Sequence, residues 1–353
     1  MNTGTKEVDN DQITNKQDLA NGSEIASPLN DKRLQCADLV RRWGGSASIT
    51  SIDETCEIFS APDIEGIIGY RSAPGCIIVF GDPVCSPEDM PQLTEEFHRF
   101  CENQKKRIVY LSVTQKFADW AMKHVCNAII EFGEELIINP STHQDPSEGS
   151  QGRMLRKKVN HALNKGTVAK EYIDYDEKLE KEIENVGENW LKARQGPQIY
   201  LSHVHILKDR SSQRWFYAEH AGKVVGAILL TQLQVHQGWL LYFLMTTPDA
   251  PNGTSELMIM KVLEALHNEK SQYLTFGAVT SAELGKMEGL GTITTILARN
   301  AFKITKKLFH LDGRRDFWKK FQPASEGSYV LFSHPHVGLR EFYGVMRALN
   351  VSL

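Results

Sequence analysis

Short apolar runs of strand character alternate along this chain with stretches in which apolar residues recur at helical spacing. Residues 1–31 follow neither pattern, being rich in Asn, Asp, Gly, Ser and Thr with hardly any large apolar side chain. Such a segment buries too little surface to offset the entropy of ordering it, so a disordered tail is expected. From Leu34 onward the pattern predicts a helix over Gln35 to Trp43, a strand near Glu57 to Phe59, and strands over Gly66 to Tyr70 and Cys76 to Phe80. Arg71 to Gly75 forms a hairpin-like turn between the last two. A helix over Pro87 to Gln104, a strand over Arg107 to Val113, a helix over Gln115 to His124 and a strand over Glu135 to Ile138 complete a first unit, 32–145.

Pro140 to Gln151 is polar and Gly/Ser/Asp-containing, and reads as a linker. Beyond it, in 146–353, the order nearly repeats. Helix Arg153 to Lys165 leads to an edge strand near Lys170 to Ile173, helix Glu177 to Arg194, and strands Trp215 to Glu219, Val224 to Leu233 and Trp239 to Thr246. Helix Ser255 to His267, strand Tyr273 to Gly277, a helical stretch from Thr294 to Phe309 and a closing strand near Tyr329 to Phe332 follow. Antiparallel hairpin, loop, helix and further strand is an N-acetyltransferase-like layout. The expected class is therefore α/β (α+β): two fused GNAT-like domains, with mixed, mostly antiparallel sheets flanked by helices. No residue-level repeat marks a duplication.

Between the apolar run ending at Met245 and the helix after it lies Thr247-Pro248-Asp249-Ala250-Pro251-Asn252-Gly253-Thr254. Thr254 or Ser255 is available as N-cap and Glu256 falls in the first turn. A helix N-terminus with free N–H groups attracts phosphate or carboxylate, so Asp249, Asn252, Gly253 and Thr254 are candidate donor-binding residues; an ordinary Pro/Gly turn accounts for the same residues.

The chain has 353 residues, 41% of them hydrophobic and 24% charged, with a formal net charge of −4. No run approaches the roughly 18 to 20 apolar residues that span a bilayer, and the N-terminus lacks the layout of a secretory signal. A cytoplasmic protein able to associate peripherally with an anionic membrane is expected. The six cysteines show no C-x-x-C spacing and are read as reduced and structural. His203 with His205, and His334 with His336, lack companions at metal-ligand spacing, so no metal is expected. Phosphate-binding, dinucleotide-binding and nucleophile-elbow motifs are missing from the sequence.

Several segments together resemble the cytosolic catalytic domain of the phosphatidylglycerol lysyltransferases, or aminoacyl-phosphatidylglycerol synthases. Phe80-Gly81-Asp82-Pro83-Val84 and Gly133-Glu134-Glu135 match that family's Gly-Asp-Pro-Val and Gly-Glu-Glu segments. Leu155-Arg156-Lys157-Lys158-Val159-Asn160 resembles its basic helix, and Asp249 to Thr254 its donor-side loop. Gly313-Arg314-Arg315-Asp316-Phe317-Trp318-Lys319-Lys320-Phe321-Gln322-Pro323, followed by Glu326 and Tyr329, follows the pattern Gly-Leu-Arg-x-Phe-Lys-x-Lys-Phe-x-Pro, then Glu, then Tyr. Two departures stand out: Tyr242-Phe243-Leu244-Met245 replaces an Asp-Leu-Met-Arg strand, and Trp318 replaces a Lys. The resemblance implies two acetyltransferase-like folds that move an aminoacyl group from tRNA to lipid.

Charge patterning adds an independent reading. From Arg299 to Lys320, eight Lys/Arg face only Asp312 and Asp316, a local excess of six positive charges in an acidic chain. Arg153, Arg156, Lys157, Lys158, His161, Lys165 and Lys170 form a second cluster, on a helix whose Leu155, Val159, Ala162 and Leu163 are expected to face inward. Rows of this kind neutralise phosphates without reading sequence, which makes Arg153, Arg156, Lys157, Lys158, Lys165, Lys303, Lys306 and Lys307 candidates for tRNA contact; solvated helix faces have the same composition.

Transfer from an aminoacyl ester requires orientation, proton acceptance and oxyanion stabilisation. Arg315 and Lys320 are the candidate cations, Glu326 the candidate base or ammonium ligand, and Tyr242, Tyr329 and Gly313 complete the expected substrate-binding set. Phe317 and Phe321, at helical spacing, are expected to anchor the block. Three readings stay open: an aminoacyl-tRNA-dependent transferase acting on a lipid or other hydroxyl or amine acceptor, with no cofactor and no DNA partner; an acyl-CoA N-acyltransferase; and a non-catalytic binding protein on the same fold.

Overall fold

The computed structural model describes residues 28–150, 152–193, 212–308 and 312–349. Helix α1 (Pro28–Trp43) and a 3-10 turn (Ser48–Ile52) precede strands β1 (Glu57–Phe59), β2 (Gly66–Ala73), β3 (Cys76–Phe80) and β4 (Val84–Cys85). Then come α2 (Met90–Asn103), β5 (Arg107–Val113), α3 (Gln115–His124) and β6 (Ala128–Ile138). The second half contributes α4 (Arg153–Asn164), β7 (Val168–Tyr172), α5 (Glu177–Lys192), β8 (Gln213–His220), β9 (Lys223–Leu233), a 3-10 turn (Gln234–His236) and β10 (Gly238–Thr246). It ends with α6 (Thr254–Asn268), β11 (Tyr273–Thr280), β12 (Met287–Glu288), α7 (Thr292–Leu308), α8 (Asp312–Lys319), β13 (Ala324–Phe332) and α9 (Leu339–Ala348).

Among the described residues thirteen strands form one sheet, in the order β1-β2-β3-β5-β13-β6-β11-β10-β9-β8-β7, with β12 on β6 and β4 on β2. Neighbours are antiparallel except β3 with β5 and β10 with β11. Each parallel pair needs a crossover, and α2 and α6 supply one apiece, so the two halves share the expected acetyltransferase-like layout. The sheet is mixed and mostly antiparallel, as the sequence pattern predicts. One connection differs from a simple tandem: β13, near the C-terminus, lies between β5 and β6 and completes the sheet of the first half.

Alternation along the strands sorts the helices onto two faces. Ile77, Val79, Ile108 and Tyr110 pack beneath α2 and α3, and on the same side Leu136, Ile138, Leu274 and Phe276 pack beneath α4, α6 and α8. Cys76, Ile78, Phe80 and Val109 point the other way, toward α7 and α9, with α1 and α5 covering the rest of that side. All six cysteines are free thiols, five of them buried.

Several expectations are corrected. Helix α1 begins at Pro28, so the last residues of the expected tail are helical. Strand β6 begins at Ala128 and β13 at Ala324, and α9 was not anticipated. Leu163 is 48% exposed, because in the last turn of α4 it is the neighbouring Ala162 that faces inward. His203 and His205 lie outside the described residues, which contain no cluster of three or more His, Cys, Asp or Glu able to hold a metal.

The loop before α6 is also built differently from expectation. Gly253, with φ +95°, is the N-cap, while Thr254 is the first helical residue and donates from Oγ1 to the Pro251 carbonyl at 2.6 Å. A Cβ on Gly253 would lie 1.9 Å from the Lys158 carbonyl oxygen, so α4 rests directly on the loop. Gly253→Ala is expected to lower stability by about 3 kcal/mol or more, from positive φ and backbone collision together, read as a fall in denaturation midpoint. Gly222→Ala has positive φ but nothing within 4 Å, and is expected to cost only about 1 kcal/mol.

Candidate active site

Strands β10 and β11 pair only over Gly238 to Leu240 against Tyr273 to Thr275. Beyond that point each breaks register with its other neighbour. Strand β10 bulges at Tyr242 against β9, and β11 breaks between Thr275 and Ala278 against β6, with Gly277 at φ +75°. The two strands therefore part, opening a fork in the sheet, and bulges of this kind re-aim side chains next to sites.

Glu135, on β6, stands at the fork. Thr275 Oγ1 donates to its Oε1, and Ser46 Oγ, in the turn after α1, donates to its Oε2 at 2.8 Å. Thr275 is itself fixed, because its Oγ1 accepts from the Gly277 N–H at 3.0 Å. Burial raises the Glu135 carboxyl above its ordinary value; the two hydroxyls and the Arg314 guanidinium pull it down, and Glu326 pushes it up. Glu326 pairs with Glu135 across the β13–β6 ladder, which puts two carboxylates side by side on one face. Tyr273 and His236 border the same area, their rings stacked at 4.4 Å. Burial raises the Tyr273 phenol, and Glu135 adds to the rise. Burial lowers the His236 imidazole, with Glu326 opposing.

The cation at the fork comes from the far side of the sheet. Trp318 stacks flat on Phe276, centroids 4.1 Å apart, and fixes α8 against β11. One turn earlier on α8, Arg314 reaches the Phe276 carbonyl with Nη2 at 3.0 Å. The site is thus a desolvated carboxyl held by two hydroxyl donors, with a guanidinium and a second carboxylate close by. Such a carboxyl can accept and return a proton, and such a guanidinium can stabilise an oxyanion.

The residues expected from sequence are distributed unevenly. Glu326 is at the fork, and Tyr242 is the bulged residue of β10. Arg315 is half-buried on α8, but it is Arg314 that reaches β11. Lys320 Nζ pairs with the buried Glu256 at 2.6 Å and sits 4.2 Å above the Phe317 ring, tying the end of α8 to the first turn of α6. Gly313 is exposed in the first turn of α8. Tyr329 lies on the opposite face from Glu326, in the core beneath α3, and donates to Gln115. Asp249 is exposed and turned onto its own loop, where the Thr247 hydroxyl lowers its carboxyl. The anchors of the block are Trp318, 5% exposed, and Phe321, fully buried, with Phe317 only partly covered.

Among the expected tRNA contacts, Arg156 is bonded to the Ser147 and Gly149 carbonyls and Lys158 to Asn252 Oδ1 at 2.7 Å. Arg153 and Lys157 are exposed on α4, and Lys165 is exposed just after it. Lys303 and Lys307 are exposed on α7, and Lys306 donates to the Ala282 carbonyl at 2.7 Å. Glu135, Thr275, Ser46 and Arg314 are not among the residues expected from sequence; the signal was the Gly133-Glu134-Glu135 segment, matched to the family without a role for its carboxylates. In the first half β3 pairs with β5 along its whole length, and Asp82, just beyond β3, accepts from both the Thr114 N–H, at 2.9 Å, and its hydroxyl, at 2.6 Å, and so braces the start of α3.

One sheet built from two acetyltransferase-like halves, with a carboxyl and guanidinium at the fork of the second, defines a transferase fold of tandem type. The family model for the phosphatidylglycerol lysyltransferase C-terminal region matches residues 39–332, and the chain belongs to that family. Among the relatives is a phosphatidylglycerol lysyltransferase of Staphylococcus epidermidis, 21% identical over 330 residues, covering 89% of this chain and 37% of the relative's length. The chain thus spans little more than a third of such relatives. Among solved structures, the C-terminal domain of a putative lysylphosphatidylglycerol synthetase from Agrobacterium fabrum superposes with TM-score 0.74 at 16% identity, over 91% of this chain and 97% of that one. L-PGS from Bacillus licheniformis gives TM-score 0.70 at 15% identity, over 92% and 97%.

Proposed function

We propose that this protein transfers an aminoacyl group from tRNA to the hydroxyl of a lipid headgroup, with Glu135 as proton acceptor. The observation that carries the reading is the Glu135 carboxyl, desolvated and held by Ser46 and Thr275 where β10 and β11 part. Membership of a lysyltransferase family supports the donor and the acceptor class. The acceptor oxygen attacks the ester carbonyl while its proton passes to the Glu135 carboxylate. The bond from carbonyl carbon to tRNA ribose oxygen then breaks, and the proton returns to that oxygen. Arg314 stabilises the oxyanion between these steps, with Arg315 adding positive charge from the same helix. Glu326 holds the ammonium of the aminoacyl group and Tyr242 borders its side chain. Lys320, through Glu256, positions α8.

The first turn of α6 does not favour acyl-CoA. Glu256 already places a buried carboxylate there, and Lys320 neutralises it, which leaves little attraction for a pyrophosphate.

Arg153 and Lys157 lie four apart on the exposed side of α4, and Lys165 follows its last turn; they are assigned to the tRNA backbone. Changing all three to Gln is expected to weaken tRNA binding at low salt and to flatten the log–log salt slope by roughly 2 to 3. Filter binding over a salt series measures this, and an unchanged slope would remove α4 from the tRNA path.

A further inference from the structure

Helix α7 turns large aliphatic side chains to solvent: Ile293 is 77% exposed, Ile296 55%, Leu297 61% and Ile304 67%. The spacing i, i+3, i+4 and i+11 puts them on one stripe, while Ala298 and Phe302 face the sheet. Exposed Arg299, Lys303 and Lys307 flank the stripe, and the helix contains no Asp or Glu. Helix α9 covers the same apolar layer and repeats the pattern. Its Leu339 is 86% exposed, Phe342 43% and Tyr343 56%, beside exposed Arg340 and Arg347. The acid of α9, Glu341, is buried and paired with Arg107 at 2.7 Å.

We propose that this face, α7 and α9 together, docks on an anionic lipid surface. Aliphatic and aromatic side chains bordered by Lys and Arg, with acids withdrawn, have the composition of a helix lying at the headgroup boundary, where apolar burial and attraction to anionic headgroups act together. A polynucleotide would use the cations but gain nothing from exposed Ile and Leu. A second copy of the chain would set one cationic face against another. Lys303 and Lys307 are accordingly membrane contacts rather than tRNA contacts. The inference needs no aminoacyl donor, and its vesicle assay contains no tRNA.

The test is co-sedimentation of the full chain with vesicles of phosphatidylcholine alone and of phosphatidylcholine mixed with phosphatidylglycerol. Wild type is expected to partition onto the mixed vesicles and only weakly onto the neutral ones. Ile296→Ser with Leu297→Ser, and separately Lys303→Gln with Lys307→Gln, are expected to lower partitioning roughly tenfold each. Both pairs are exposed, so melting temperatures are expected to stay put; Ile304→Ser provides an independent check on the stripe. Equal partitioning of wild type onto both vesicles would overturn the inference, as would vesicle binding indifferent to the serine pair. So would a serine pair that only dissolves a dimer, or a glutamine pair that abolishes tRNA retention while vesicle binding persists.

Discussion

Glu135→Gln is expected to lower aminoacyl transfer by about a hundredfold to ten-thousandfold, the range for loss of a positioned general base. The amide keeps the shape of the carboxylate, accepting from one of the two hydroxyls, Ser46 or Thr275, through its oxygen and donating to the other through its NH2, so the melting temperature is expected to change little. The pH profile separates a proton acceptor from a mere hydrogen-bonding group. Burial raises the Glu135 carboxyl, so its catalytically active, deprotonated form appears only at higher pH than for an ordinary glutamate. Wild-type transfer should therefore fall away on the acid side earlier than a free carboxylate would allow, and the residual rate of Glu135→Gln should lack that limb. Wild-type rates in the variant would move the chemistry elsewhere.

The second large effect is on stability. Trp318 is 5% exposed and stacks on Phe276 with an interplanar angle of 7°, while Phe317 meets it edge-on at 4.9 Å. Trp318→Ala is expected to cost about 3 to 5 kcal/mol, the range for emptying a buried aromatic site, and to lower the melting temperature by the order of 10 °C. Phe317→Ala, at a partly covered position, is expected to cost about half as much. Trp318→Ala should also reduce transfer, because Arg314 is one turn away on the helix that Trp318 fixes. Equilibrium unfolding of the two variants checks the order, and equal costs would mean that α8 is not anchored through Phe276.

Strands whose faces are uniformly apolar or cleanly alternating were legible. Cys76 to Phe80 and Arg107 to Val113 were read to the residue. Strand β6 was half missed, for a physical reason. Between Ser328 and Tyr329 its partner skips from Gly133 to Glu131, so Phe132 is an extra residue and the apolar phase slips by one. Residues before the bulge turn odd numbers to the α2 and α3 face and residues after it turn even numbers there, so no single period fits Ala128 to Ile138. The insertion of β13 between β5 and β6 is a long-range pairing that no local pattern encodes. Glu135 was hidden for a related reason: a polar residue inside a strand reads as solvent-facing until Ser46, far away in sequence, is seen to donate to it. Arg314 and Arg315 are equivalent in sequence, and only the stacking of Trp318 on Phe276 decides which one reaches the fork.

Single-turnover transfer shows whether this chain moves an aminoacyl group from tRNA to lipid. The purified protein is mixed with tRNA carrying a labelled amino acid and with phosphatidylglycerol vesicles, and the label is followed into the lipid extract. Label is expected in the lipid phase with wild type and nearly none with Glu135→Gln. Label that stays on tRNA or appears only as free amino acid, for every amino acid charged, would contradict it.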